Sequence, residues 1–358
     1  MRRSKLTALA AGIVAGGLVL AACGDDESDE ATTDDNGSQN GEENGEENGE
    51  DTGASGDVEL IGDVEATECD PTAEAAPIPD PEGTGEDETE ITIGIFSGWD
   101  ENYVVYELAK AALEEQGYTV NELEAEAGPV YTGVADGDLD LLMDAWLPGT
   151  HGDEYIDVDG SGAQLGHDLE NLGCWFDEGY LTIAVNEDSP AQSLDELADY
   201  ADEYGATIVG IDPGAGLTRT TEEEVIPTYG LEDWEFPTSS SGAMLAELES
   251  AMDEGENIVV TLWHPHWAYA AYDIRDLEDP EGTLGEAERL FNLGRTGFSE
   301  DYPNAAQLMK NLHLTNEQLL EIEDLLVVEY DREQNEQAVQ EWLDDNPEFL
   351  EDWRQGNL

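Results

Sequence analysis

Residues 24–90 carry 26 Asp and Glu side chains and neither Lys nor Arg, and this block limits where a core can form. Its near-repeat GEENGEENGED and its Gly, Asn and Thr content offer too little apolar surface to offset the entropy of ordering. It predicts a self-repelling, extended tether. Ahead of it, MRRSKLTALAAGIVAGGLVLAAC has a basic start (Arg2, Arg3, Lys5), an apolar centre from Leu6 to Leu20 and small residues before Cys23, the pattern of an export signal. The apolar centre is short for a membrane span. Folding is thereby assigned to residues from 91 onward.

The segment LAAC resembles the bacterial lipoprotein box, which implies lipid on Cys23 and a domain anchored at the extracellular or periplasmic face of a membrane. The pair Arg2-Arg3 leaves twin-arginine export open beside the general route. Residues 91–358 keep 62 of the 88 acidic residues and 8 of the 11 basic ones, a net of −54. Nucleic acid is excluded as a partner by that sign. So acidic a surface suits high external salt, where counterions screen its self-repulsion. In an oxidising compartment the two further cysteines, Cys69 and Cys174, are candidates for a disulfide that ties the tether to the folded domain.

The folded part reads as α/β. ITIGIF (91–96) alternates as a strand, and ENYVVYELAKAALEEQGY follows with Val104, Val105, Leu108, Ala112 and Leu113 on one helical face. GPVYTGVADGD predicts a short helix, and LDLLMDAW and GYLTIAVN (179–186) predict strands of a mostly parallel sheet. A second unit opens with Ser193 and Glu196 in capping-box spacing. It continues through a strand ATIVGID, a glycine turn PGAG, two helices and an apolar strand NIVVTLW. Helices at 303–313, 315–329, 333–344 and 347–356 complete the chain, the second with Thr315 and Gln318 as another capping box. The economical organisation is a signal at 1–23, a tether at 24–90, a first lobe at 91–187, a second lobe at 188–288, and a return to the first lobe at 289–358.

Three tryptophans stand at strand ends: Trp99 in SGWDEN, Trp146 in DAWLPGTH and Trp263 in TLWHPHW. Ligands of open α/β sheets bind beyond the carboxyl ends of strands, so all three are in pocket positions. Tryptophan has the best face for a cation that has no hydrogen to donate, such as a trimethylammonium group. The glycine turn of IDPGAGLTR leaves N–H groups at a helix start free for a carboxylate, and His151 could add a donor. Cage and anion site together describe a methylated zwitterion. Trp175, Trp234, Trp267, Trp342 and Trp353 read mainly as packing residues, Trp267 being the first candidate for an exception. His264 and His266, flanking a proline without nearby Cys, have poor metal-ligand spacing. Neither a Gly-x-Ser-x-Gly elbow nor a phosphate loop occurs, so no catalytic residue, cofactor or metal is assigned.

The segments SGWDEN, EAGPVYTGVADGDLDLLMDAWLPGTH, GIDPGAGLTR, SSSGAMLAELESAM, TLWHPHWAYAAYDIRDLEDP and GFSEDYPNAAQLMKN together resemble the substrate-binding proteins of glycine betaine ABC transporters, over roughly 91 to 358. The resemblance implies a two-lobed periplasmic-binding-protein fold (type II) with the ligand cleft between the lobes. It implies a box of Trp99, Trp146 and Trp263 around the trimethylammonium group, and a carboxylate held by the amides of Gly216 and Leu217 and by His151. A membrane permease is the implied partner, the lobes closing over the ligand, with no chemistry performed and a monomeric state expected. Glycine betaine or proline betaine, taken up as an osmoprotectant, is the expected ligand. The alternatives are an amino-acid binder using Arg219 as a carboxylate clamp, a choline or carnitine binder, and an extracellular enzyme or receptor domain acting on choline-type compounds.

Overall fold

The computed structural model describes Cys69 and residues 74–79, 89–156, 165–330 and 332–358. The export signal, Cys23 and most of the acidic block lie outside the described residues. Seven strands form the framework: β1 (Glu90–Phe96), β2 (Thr119–Ala125), β3 (Leu141–Leu147), β4 (Leu169–Asn186), β5 (Val259–His264), β6 (Ile274–Asp276) and β7 (Glu288–Arg295). Their order is β2-β1-β3-β7-β4-β5, with β6 also on β4.

The expectation of a mostly parallel sheet fails. Only β1 runs parallel to its neighbours β2 and β3, joined to them through the helices Asp100–Gln116 and Ala127–Ala135. β7 inserts antiparallel between β3 and β4, and β5 and β6 also pair antiparallel with β4. The reason is the return of the chain: β7 comes back from the second unit and enters the first sheet from the opposite direction.

β4 joins the two halves. From Leu169 to Gly179 it pairs with β7, and from Tyr180 to Asn186 with β5 and β6. The change of partner therefore lies inside one 18-residue strand, ahead of the expected boundary near 187, while β7 begins at Glu288, the second expected boundary. Register shifts after Asn171, Cys174 and Phe176 let this long strand bend between two sheets. The predicted strand ATIVGID reduces to isolated parallel bridges, Val209 to Val260 among them.

Helix Asp100–Gln116 buries Val104, Val105, Leu108, Ala112 and Leu113 as its periodicity requires, and ends at Gly117, whose φ of 96° needs a residue without Cβ. The Thr315–Gln318 capping box is formed. The one at Ser193 is not: Glu196 takes the N–H of Gln192, and the Ser193 hydroxyl donates to Asp195 and to the Glu278 carbonyl. The C-terminal helices pack against Asp100–Gln116 and β4.

The tether is corrected at its end. Cys69 and Cys174 form a disulfide, and residues 74–79 lie on the C-terminal helices. Ile78 is buried there, its N–H bonded to the Arg354 carbonyl and its own carbonyl to Arg354 Nη1. Asn311 accepts from the Ala76 N–H (3.1 Å) and donates to the carbonyls of Ala76 (2.9 Å) and Trp353 (3.1 Å). One apolar side chain and a matched set of backbone partners are enough to dock a segment that its composition marks as solvated. Asn311→Ala removes the partner of the Ala76 N–H and carbonyl and one of the two donors to the Trp353 carbonyl, which keeps the Gly356 N–H, and is expected to lower the unfolding free energy by about 2 kcal/mol. Urea unfolding of the variant checks it.

Candidate functional site

The three strand-end tryptophans meet in one cavity between the two halves. Trp99 follows β1 and precedes helix Asp100–Gln116, Trp146 is the penultimate residue of β3, and Trp263 the penultimate residue of β5. They line a small apolar pocket together with His151, Leu217 and Glu101. The rings of Trp99 and Trp263 face each other across the halves at 6.2 Å and 53°. All three indoles are less than a tenth exposed.

His151 is fully buried and stacks on Trp99 at 5.6 Å. Its Nδ1 accepts the backbone N–H of Trp146 (3.0 Å) and lies 3.1 Å from the Tyr131 hydroxyl. A backbone N–H can only donate, so Nδ1 carries no proton and the proton of the neutral ring sits on Nε2. Burial pushes the ring's pKa down to about 3, with Arg219 adding to the effect, so the ring is neutral at ordinary pH. Nε2 is buried without a partner among the described residues. The outcome is a single fixed N–H donor in an apolar chamber.

Gly216 and Leu217 are the first two residues of helix Gly216–Thr220, where N–H groups have no carbonyl in a preceding turn to bond. A Cβ on Gly216 would lie 2.5 Å from the carbonyl oxygen of Thr150, so only glycine lets the two turns touch. The turn that carries His151 is itself clamped, since the carboxylate of Glu288 accepts the N–H groups of Gly149 (3.0 Å) and Thr150 (2.8 Å) and the Thr150 hydroxyl. Tyr155 donates across the cleft to the Gly214 carbonyl (3.0 Å).

Sequence reasoning missed the acids around this chamber. Glu101 is 1% exposed, its carboxyl has no hydrogen-bond partner beyond its own backbone, and burial followed by the charges of Asp144 and Glu323 raises its pKa well above the usual carboxylate range. Asp144 accepts from Trp146 Nε1 (3.1 Å), and burial pushes it up to about 8. Acidic residues in the first turn of a helix and in an apolar strand read as solvated in so acidic a chain. No local signal distinguishes them.

Other candidates fall outside the chamber. Arg219 lines a wider, acid-rimmed cleft and pairs with Glu154 (3.8 Å) and Glu223 (3.7 Å). His264 bonds Asp276 (3.1 Å) between the rings of Tyr180 and Tyr269, and His266 Nδ1 accepts the Ala268 N–H. Among the described residues no group of three or more His, Cys, Asp or Glu could hold a metal ion. Trp175, Trp342 and Trp353 spend their N–H groups on Met143, Glu321 and Leu308, as packing residues do.

Two α/β halves that share a long strand and enclose an aromatic chamber define the class of two-lobed solute-binding proteins. Residues 89–345 match the family model described as the substrate binding domain of the ABC-type glycine betaine transport system, and the chain belongs to that family. It is 37% identical over 164 residues to the glycine betaine/carnitine transport binding protein GbuC of Listeria monocytogenes, covering 45% of this chain and 53% of that protein. It is 26% identical over 220 residues to the glycine betaine/proline betaine-binding periplasmic protein of Salmonella typhimurium, covering 57% of this chain and 66% of that one. The chain thus spans about half to two thirds of the length of these relatives. Among solved structures, lactococcal OpuAC in its closed-liganded conformation complexed with glycine betaine superposes with a TM-score of 0.66 at 26% identity, covering 74% of this chain and 99% of that one. A choline binding protein in complex with choline, at 24% identity and a TM-score of 0.67 over 75% of this chain and 92% of that one, shares the fold.

The buried acids set a pH dependence. Glu101, Asp144 and Glu323 hold protons to higher pH in the folded chain than in the unfolded one, so the folded state binds more protons above about pH 4 and stability falls as pH rises through the folded pKa values. His151 and His266, pushed down to about 3 and about 4, act in the opposite sense below about pH 7, where unfolded imidazole takes up protons. Between about pH 7 and 8 the carboxyls dominate, so urea unfolding is expected to give a lower free energy at pH 8 than at pH 7, and Asp144→Asn to flatten the difference. An unfolding free energy that is equal or higher at pH 8 contradicts this.

Proposed function

We propose that the protein is a lipid-anchored binding protein of the extracellular or periplasmic face, which captures glycine betaine or proline betaine for import through an ABC permease as an osmoprotectant. The observation that carries this reading is the chamber itself: indoles from both halves around one space, with a neutral imidazole whose Nε2–H has no partner within it. A trimethylammonium group has no hydrogen to donate and is held by ring faces, for which three desolvated indoles are the strongest available arrangement. The carboxylate goes to the N–H groups of Gly216 and Leu217 and to His151 Nε2, which donates without needing to be charged.

The lobes are assigned as 91–187 with 289–358, and 188–288. Trp99, Trp146 and His151 come from the first lobe, and Trp263, Gly216 and Leu217 from the second. Closure completes the site and signals occupancy to the permease. The protein performs no chemistry, requires no cofactor and works as a monomer. Cys23 carries the lipid, and the acidic segment spaces the lobes from the membrane. The two family relatives whose names cite glycine betaine support the ligand class. Choline is the second reading, favoured by one observation: the buried carboxyl of Glu101 lines the chamber, and a bound cation beside it would favour its ionised form. An amino acid clamped by Arg219 is disfavoured, because that side chain is outside the chamber and already paired.

Calorimetric titration of the full chain in high salt with glycine betaine, choline and glutamine tests the reading. Betaine is expected to bind and choline to bind more weakly, for want of a carboxylate. Trp146→Ala and Trp263→Ala are each expected to weaken betaine binding about thirtyfold or more, the range of a desolvated cation–π contact, while Trp234→Ala leaves it nearly unchanged. Glutamine binding without betaine binding contradicts the tryptophan box and turns attention to Arg219.

A further inference from the structure

Behind the chamber, three residues that the ligand reading does not use meet on one carboxylate. Asp100, fully buried at the start of helix Asp100–Gln116, accepts two bonds from Arg332, at 2.6 Å from Nε and 2.7 Å from Nη2. Its Oδ2 also accepts the indole N–H of Trp267 at 2.7 Å. The Arg332 guanidinium stands over the Trp267 ring at 5.2 Å. Asp100 and Arg332 are on elements of the first lobe, Arg332 lying between C-terminal helices that pack on Asp100–Gln116. Trp267 follows β5 in the second lobe and is 8% exposed.

The distribution across the lobes matters. When the lobes part, the bidentate Arg332–Asp100 pair stays whole inside the first lobe, so opening leaves no buried charge alone. The bond from Trp267 and its contact with the guanidinium exist only in the closed arrangement. A hydrogen bond to a charged acceptor and a cation–π contact are both among the stronger polar contacts in proteins, and here they report on the lobe angle rather than on the ligand. Arg332 has a φ of 55°, an uncommon conformation for a residue with a side chain.

We propose that Trp267, Asp100 and Arg332 form a closure latch, which raises the population of the closed state and so tightens binding of every ligand by a common factor. This rests on the binding reading above and deepens it. Apparent affinity scales with the fraction of protein that is binding-competent, so a latch changes affinity without changing selectivity. A box residue changes both.

The test uses the full chain with Trp267→Phe, which keeps the packing but has no N–H, and separately Arg332→Gln, which removes the cation. Ligand-free melting temperatures well above the temperature of the titrations exclude unfolding, and Arg332→Gln, which leaves Asp100 without its cation, is expected to melt below the parent while Trp267→Phe melts close to it. Each variant is expected to bind glycine betaine and choline about tenfold more weakly, by the same factor for both and through faster dissociation. Inter-lobe distances are read by electron–electron double resonance between labels at Glu115→Cys and Glu247→Cys, with Cys23→Ser in all chains. Both variants are expected to show a larger share of the long distance than the parent. Unchanged affinities, or factors that differ between betaine and choline, overturn the latch. A parent that binds neither ligand refutes the binding reading instead. The latch is then decided by distance alone, and it is overturned if the variant and parent distributions coincide.

Discussion

The contact on which the rest of the site depends is the approach of two turns, the one at Gly216 and the one at Thr150. A backbone carbonyl fills the space where any side chain on residue 216 would begin, so the two lobes meet at main-chain distance. That distance lets Trp263 come within 6.2 Å of Trp99 and places the first N–H groups of helix Gly216–Thr220 beside His151. The turn at Thr150 can serve as a stop because Glu288, at the start of β7, holds its amides. On the proposed lobe assignment, β7, which returns from the second lobe, therefore braces the turn that faces that lobe.

The chamber's electrostatics are arranged around neutrality. His151 offers a proton without carrying a charge, because Trp146 donates to its other nitrogen and burial suppresses protonation. Burial biases the acids nearby, Glu101 and Asp144, toward their protonated forms. On the proposed reading, such a space rewards a ligand that brings both of its own charges, each meeting a partner and the sum leaving none uncompensated. Among the described residues, the acids at the chamber are Glu101 and Asp144, whose carboxyls burial biases toward the protonated form.

Much of the candidate site was legible because its residues lie where secondary structure ends. An apolar run followed by Trp, Pro and Gly marks a strand leading into a turn, and three such runs with Trp99, Trp146 and Trp263 pointed to one pocket. The helices were legible from their periodicity, and the box at Thr315 from two residues. What escaped depends on partners distant in sequence. β7 carries charged residues at both ends of its apolar stretch, and its antiparallel entry between β3 and β4 is decided by the path of the chain, which no local pattern records. β4 reads as a strand only over 179–186, because its earlier half is irregular and bulged. Segment 74–79 looks solvated until Asn311 and Arg354, more than 200 residues away, supply its bonds. Burial of Glu101 and Asp144 has the same character, since nothing in their neighbours separates them from the many surface acids.

The most direct measurement is a crystal structure of the protein grown with glycine betaine. The account predicts the trimethylammonium group between the faces of Trp99, Trp146 and Trp263, and the carboxylate within hydrogen-bond distance of His151 Nε2 and the amides of Gly216 and Leu217. A ligand seated in the wider cleft with its carboxylate on Arg219, or one in the chamber with its carboxylate turned away from His151, would contradict it.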